Sequence, residues 1–355
     1  MERFDRSSAS VRLATMTVAH VPTAADILST GDAQLRLHEK ASALRDDRFG
    51  RQVFVRGVVE PSNFCRENCS YCGMRRDNRT LARYRSNADS LAEMLIHHRP
   101  RSMTDVNIQT GEDPRAVEEV VLPLLKILRR ETNLGLSVCL GTLSKDIYRE
   151  LKSAGASIYI IKFEVGNPAA YRKFSSPGTL SERLEHIRLL AAEGWNVSSG
   201  FIAGLPGQDA ESTLENLDLA GSLPLSGCSV SPFIPGDETP LADESASGLE
   251  STLNAMALMR LMRPDWVIPA VSALNLAGPG EGYRRGLRTG ANLCTINLTP
   301  DADRENYLLY KRDRFIMNEE RILGAIAAEG LSVSKRSLAD HFVAERANRS
   351  AVGVA

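Results

Sequence analysis

The sequence predicts a parallel (β/α)8 barrel of the TIM type with an N-terminal helical lead-in. Two observations predict it. Eight short runs rich in apolar and β-branched residues alternate with helix-like segments, and glycines recur where a helix-like segment gives way to the next run (Gly135, Gly155, Gly194, Gly227, Gly290). Strands separated by helices need crossover connections, and eight such units close a barrel with its helices outside. Glycine after a helix supplies the left-handed cap that other residues resist. An open doubly wound sheet is the alternative architecture.

Pro22–Arg45 reads as the lead-in helix, and Val53–Val59 (VFVRGVV) as the first strand, ending at Glu60-Pro61-Ser62. Asp105–Gln109 is the second strand, followed by a helix over Arg115–Arg130. Leu136–Leu140 precedes Ser144–Ala154, and Ser157–Phe163 precedes Leu180–Glu193. The alternation continues with Asn196–Ile202 and Glu211–Ser222, then Gly227–Phe233 and Gly248–Arg263, then Trp266–Val271 and Gly280–Thr289. Ala291–Leu298 is the eighth strand, with a helix from about Asn318. The chain divides into a helical extension over 1–50, the barrel over 51–317 and a C-terminal helical segment over 318–355. The acidic loop Pro235–Ser247 reads as a cover over one end of the barrel.

The 355 residues carry 43 Lys plus Arg against 44 Asp plus Glu, a net charge of −1, so no one-signed field draws in nucleic acid or an anionic membrane. With 43% hydrophobic and 25% charged residues, disordered and fibrous classes are excluded. No apolar stretch reaches the ~18 residues that span a bilayer, and Met1–Thr15 lacks the apolar core of an export signal. The expectation is a cytoplasmic protein.

Three of the six cysteines, Cys65, Cys69 and Cys72, fall within eight residues directly after the first strand. That is the C-terminal mouth of a barrel, where such folds keep their active sites. A structural zinc wants four closed ligands, and the nearest following histidines, His97 and His98, lie past a helix-like segment. A redox Cys69/Cys72 pair leaves Cys65 unexplained. Three thiolates instead suit an iron–sulfur cluster with one iron left open to a ligand. Cys139, Cys228 and Cys294 stand on separate strands and read as core packing.

Cys-x3-Cys-x2-Cys on the first βα loop resembles the radical S-adenosylmethionine superfamily. The resemblance implies a [4Fe-4S] cluster on Cys65, Cys69 and Cys72, with S-adenosyl-L-methionine on the open iron and cleaved to methionine and a 5′-deoxyadenosyl radical. It also implies an electron donor such as flavodoxin or ferredoxin. Thr110-Gly111-Glu112 resembles the family's Gly-Gly-Glu, so Gly111 and Glu112 are expected to meet the methionine ammonium. Gly200-Phe-Ile-Ala-Gly204-Leu205-Pro-Gly207 resembles the segment whose backbone pairs with adenine. Tyr71 inside the cysteine motif, Glu164 after the fourth strand and Arg183 complete the implied cofactor contacts, Arg183 as partner of the methionine carboxylate. Taken singly, Thr110-Gly111-Glu112 is also a turn, and Glu164 and Arg183 are also barrel-end charges.

Within the superfamily the likeness, over about residues 56–310, is to the biotin synthase branch, nearest to the E-type [FeFe]-hydrogenase maturases and the methylornithine synthases. It rests on the stretches 63–78, 84–85, 164–168, 204–208, 231–241 and 290–300. Lys162 and Phe163 stand where the maturases tend to have Arg and His, Thr295 replaces a usual Met, and no Cys follows Cys294. A changed lining around a kept cofactor frame implies a different small-molecule substrate. The expectation is an amino-acid-like molecule that loses a hydrogen atom and is rearranged or fragmented. Maturase-like adenosylation of a metal-cofactor precursor and an iron–sulfur carrier are the alternatives. Alternation along the fourth strand puts Lys162 on the face of Ile160 and Glu164, so an inward Lys162 must meet Glu164 or an anionic substrate group. Ser272, Asn275, Thr295 and Asn297 are the further candidate substrate contacts.

Overall fold

A computed structural model describes residues 20–277, 280–312 and 315–351. Residues 1–19, which hold the charged N-terminal segment, lie outside them. Among the described residues no helix is long and apolar enough to cross a membrane.

The chain forms a parallel barrel. Its strands are β1 (Gln52–Ser62), β2 (Asp105–Thr110), β3 (Gly135–Cys139), β4 (Ile158–Ile160), β5 (Asn196–Ala203), β6 (Gly227–Pro232) and β7 (Leu293–Asn297), hydrogen-bonded in the order β6-β5-β4-β3-β2-β1-β7. The expected strand at Trp266–Val271 lies between β6 and β7 but makes only bridges. Val267 N donates to Ser226 O (3.1 Å), Cys228 N to Val267 O (3.2 Å), Asn292 N to Ile268 O (2.9 Å) and Ala270 N to Leu293 O (2.9 Å). A full ladder is denied there because Pro269 has no N–H and Ile268 N donates to the Asn292 side chain (2.8 Å). These four bonds close the wall, so the closed barrel holds and the open sheet does not.

The lead-in is two helices, Ala24–Ile27 and Gly31–Phe49, rather than one, because the chain is extended at Thr30 and turns at Gly31 (φ +56°). The expected helix over Arg115–Arg130 contains a π turn at Val117–Val121, just ahead of Pro123. β8 (Ser332–Val333) pairs with the start of β1.

Inward residues stack in layers, two residues apart along each strand. At the N-terminal ends of the strands Phe54, Ile158, Val267 and Leu293 pack with Leu338 and Phe342 of the helix Leu338–Ala351 into a separate apolar cluster. Asp105 fastens that helix by accepting Leu338 N on both carboxylate oxygens (3.0 and 2.9 Å). The floor of the barrel is therefore a plug. Above it the residues in register are Arg56 with Thr295, and Gly200 with Ser229, while Asn107 pairs with Ser137. Barrel interiors usually hold branched aliphatics at this level. Here the level is polar, which opens a chamber in place of a core.

Candidate active site

The chamber is a cavity of about 340 Å³ that reaches from the polar layer up to the first βα loop. Cys65, Cys69 and Cys72 all line it, with Tyr71 between the last two. The loop that carries them is pinned from several sides. Asn63 Nδ2 donates to Ala82 O (2.7 Å) and Asn306 O (2.8 Å), and Arg83 reaches the carbonyls of Met74 (2.9 Å) and Arg75 (2.7 Å). Gly111 allows the second βα loop to lie against it, since a Cβ there would overlap Phe64 O and stand 2.9 Å from Cys65 Cβ.

The three thiols carry the fit to an iron–sulfur group. Burial raises all three pKa values, Cys72 to about 12 and Cys69 well above its ordinary value, and the neighbouring thiols raise Cys69 and Cys72 further. Three mutually repelling, buried thiolates need a positive centre to exist. Among the described residues no three His, Cys, Asp or Glu side chains come close enough to share a single metal ion.

Glu112 sits beside this loop. Its backbone N donates to Cys65 Sγ (3.4 Å), its Oε1 accepts from Arg183 Nη2 (2.7 Å) and its Oε2 from Arg66 Nη2 (3.1 Å). Thr110, Gly111, Glu112 and Arg183 all line the cavity. The resembled cofactor residues are thus together at the mouth, with two of them paired to each other. Tyr71 donates its hydroxyl to Ser176 Oγ (3.1 Å). Gly204 and Leu205 lie outside the cavity lining, which takes Ile202 from the same strand. They form the turn that follows β5, with Gly204 at φ +77° and Leu205 N donating to Gln208 Oε1 (3.0 Å).

β4 ends at Ile160, two residues sooner than Lys162. The chain then tightens, Val165 N donating to Phe163 O (2.6 Å), and Glu164 adopts a left-handed φ of +61°. That conformation costs about 1 kcal/mol or more for a non-glycine residue and persists only where neighbours enforce it. β5 enforces it here, Glu164 N donating to Gly200 O (3.0 Å) and Ile202 N to Glu164 O (2.9 Å). The result sets Lys162 Nζ 2.9 Å from Glu164 Oε2 on the cavity wall. Burial opposes the Lys162 charge, but Glu164 and Tyr310 outweigh it and hold the ammonium above its ordinary pKa.

Ser272, Thr295 and Asn297 line the cavity. Thr295 Oγ1 accepts from Arg56 Nε (3.1 Å), and Asn297 Nδ2 donates to Glu60 Oε2 (3.2 Å). Asn275 lies off the cavity, buried in the helix Ala273–Ala277 with its Oδ1 accepting from Tyr283 N (3.3 Å). Cys228 and Cys294 are fully buried packing residues, whereas Cys139, at the end of β3, lines the cavity. Sequence reasoning missed Arg56, Glu60, Asn107, Gln109, Ser229 and Ser231. The available signal was a charge inside an apolar run, Arg56 in VFVRGVV, on the same alternation as Phe54. No residue of the acidic loop Pro235–Ser247 lines the cavity itself. Asp237 N donates to Tyr310 O (2.9 Å), joining the loop to a segment whose Tyr307, Leu309 and Tyr310 line the cavity.

A barrel with three cysteines on its first βα loop and a glycine-linked carboxylate against them defines a radical S-adenosylmethionine site, and residues 59–220 match the family model of the Radical SAM superfamily. The chain is 33% identical over 274 residues to the [FeFe] hydrogenase maturase subunit HydE of Thermotoga maritima, covering 77% of this chain and 78% of that protein. It is 28% identical over 280 residues to the 3-methylornithine synthase of Methanosarcina barkeri, covering 78% and 79%. The crystal structure of methylornithine synthase (PylB) shares the fold, with a TM-score of 0.78 at 24% identity over 88% of this chain and 94% of that one. The chain belongs to the radical S-adenosylmethionine superfamily, whose enzymes use a [4Fe-4S] cluster and S-adenosylmethionine.

Proposed function

We propose that this enzyme abstracts a hydrogen atom from a small amino-acid-like molecule held inside the barrel and rearranges or fragments it. The observation that carries the reading is the chamber: about 340 Å³, plugged below, polar in its deepest layer and opening at the cysteines. Bound at that mouth, the cluster and S-adenosylmethionine supply a 5′-deoxyadenosyl radical.

Cys65, Cys69 and Cys72 hold the cluster as thiolates. The Glu112 carboxylate accepts the methionine ammonium, and Arg183 faces the methionine carboxylate, so the ion pair between them is shared out to the ligand's two charges. Tyr71 and the turn at Gly204 and Leu205 flank the adenosyl end, and Glu164 reaches it or the substrate from the wall. Lys162, Ser272, Thr295 and Asn297 orient the substrate, and the barrel wall keeps water from the radical. A small redox protein of the flavodoxin or ferredoxin kind delivers the electron.

A second reading, maturase-like adenosylation of a metal-cofactor precursor, is favoured by the identity to the hydrogenase maturase subunit. Anaerobic incubation of the cluster-loaded protein with dithionite, S-adenosylmethionine and a panel of amino acids separates the two. Release of 5′-deoxyadenosine that rises with one amino acid supports the first reading, and an adenosylated product supports the second. A protein that never cleaves S-adenosylmethionine would be an iron–sulfur carrier, and both readings would fall.

A further inference from the structure

Three cations line the chamber, and two of them are neutralised. Arg183 has Glu112 at 2.7 Å and Lys162 has Glu164 at 2.9 Å. The third, Arg56, lies deepest, one layer above the apolar plug. Its recorded hydrogen bond goes from Nε to the neutral Thr295 Oγ1 (3.1 Å). Among the described residues no carboxylate lies within ion-pair distance of its guanidinium, and Nη1 and Nη2 are not sealed among protein atoms. Both therefore open to the chamber that Arg56 lines.

Of the groups around Arg56, Asp105 offsets its charge in part without pairing with it, and Glu60 lines the same chamber from β1. Asp105 is in register with it on β2, but its two oxygens accept Leu338 N, and Oδ2 accepts the Thr104 hydroxyl as well (2.8 Å). Cys139 and Tyr283 are neutral at ordinary pH, since burial raises the Cys139 thiol to about 11 and the Tyr283 phenol higher. Burial lowers the Arg56 pKa, and Asp105 counters the shift only in part. A guanidinium keeps its proton all the same. The fold thus leaves a half-buried guanidinium with no directly paired anion, Asp105 offsetting its charge only in part, which favours a ligand that pairs with it.

We propose that Arg56 anchors a carboxylate of the substrate, so that the enzyme acts on a small carboxylic acid that enters carboxylate first and presents its far end to the cysteines. The planar fork matches a carboxylate through two parallel hydrogen bonds. One guanidinium fork suits one carboxylate, and the carboxylates that line the chamber, Glu60 among them, disfavour a phosphate dianion. Asn107 and Ser229 add neutral polar groups to the lining of the same chamber. This rests on reading the cavity as the substrate chamber, and it moves the anchoring charge from Lys162, which Glu164 already neutralises, to Arg56.

Ligand-observed saturation-transfer NMR on the cluster-loaded protein tests it with acetate, acetamide and inorganic phosphate as probes. Acetate is expected to bind at least about tenfold tighter than acetamide and tighter than phosphate. Arg56→Gln should lose about tenfold or more of the acetate affinity, and Arg56→Lys should keep part of it. Equal binding of acetate and acetamide, tighter binding of phosphate, or undiminished acetate binding by Arg56→Gln would overturn the proposal. Should Arg56→Gln not fold, the wild-type probe series decides, together with a crystal structure in acetate that places the anion on Arg56 or elsewhere. Dithionite-dependent 5′-deoxyadenosine release is measured apart from this, so a failed anchor and a failed reading of the chamber give different results.

Discussion

Arg183 Nη2 donates to Glu112 Oε1 at 2.7 Å, joining the helix Leu180–Ala192 to the loop after β2 across a buried wall of the chamber. Both residues are at most 8% exposed, so each is the other's main electrostatic support. A ligand with an ammonium and a carboxylate can exchange with this pair charge for charge. Glu112→Gln keeps the shape and removes the charge. It should weaken S-adenosylmethionine binding roughly ten- to a hundredfold by calorimetry, the worth of a charge-assisted bond at about 1.5–3 kcal/mol. It should also lower the melting temperature, because Arg183 loses its partner. An unchanged dissociation constant would return Glu112 to a purely structural role.

Replacing any one of Cys65, Cys69 or Cys72 by Ala leaves two thiolates, too few for a four-iron cluster. Iron content, brown colour and S-adenosylmethionine cleavage should disappear together. Cys228→Ala and Cys294→Ala should keep the iron at a modest loss of stability. Cys139→Ala should keep the iron too, and any effect on turnover there would reflect its place on the chamber wall.

Gly111→Ala forces a methyl group into Phe64 O and against Cys65 Cβ. Neither is the free end of a flexible side chain, so the cysteine loop must move. Cluster reconstitution should fall several-fold while far-UV circular dichroism stays that of the wild type. Full reconstitution would mean that the two loops part easily.

Asp113 is buried, which alone would raise its pKa, but hydrogen bonds from Arg85 Nε (2.7 Å) and Ser62 Oγ (2.6 Å) outweigh burial and hold it below the usual carboxylate range. A folded-state pKa below the unfolded one means stability that is present above about pH 4 and lost as pH falls through the folded value. Arg85→Gln should therefore destabilise the protein by about 1–2 kcal/mol at pH 7. In urea titrations that deficit should shrink below pH 4, where the wild type also protonates Asp113. A deficit constant from pH 7 to pH 3 would show that Arg85 acts through packing on Phe64, whose ring lies 4.0 Å from its guanidinium.

The barrel and its cysteine loop were legible because they are written locally. Short β-branched strands, helix-ending glycines such as Gly194 at φ +78°, and a short Cys motif each sit within a dozen residues. The Lys162–Glu164 pair was legible for the same reason. What was hidden depends on pairings across the barrel. Nothing near Trp266–Val271 reveals that Asn292 takes Ile268 N and reduces that strand to bridges. Asn275 looks like Ser272 in sequence, yet a helical turn carries it behind the wall. Arg56 looked like an interruption in a strand until Thr295, Asp105 and the plug showed what surrounds it.

The plug built from Phe54, Ile158, Val267, Leu293, Leu338 and Phe342 closes the chamber at the N-terminal ends of the strands. A substrate seated on Arg56, as proposed, would lie between that plug and the cysteines, beneath S-adenosylmethionine. Loading would then run from the floor upward, and steady-state inhibition patterns should be those of a compulsory order with the substrate first.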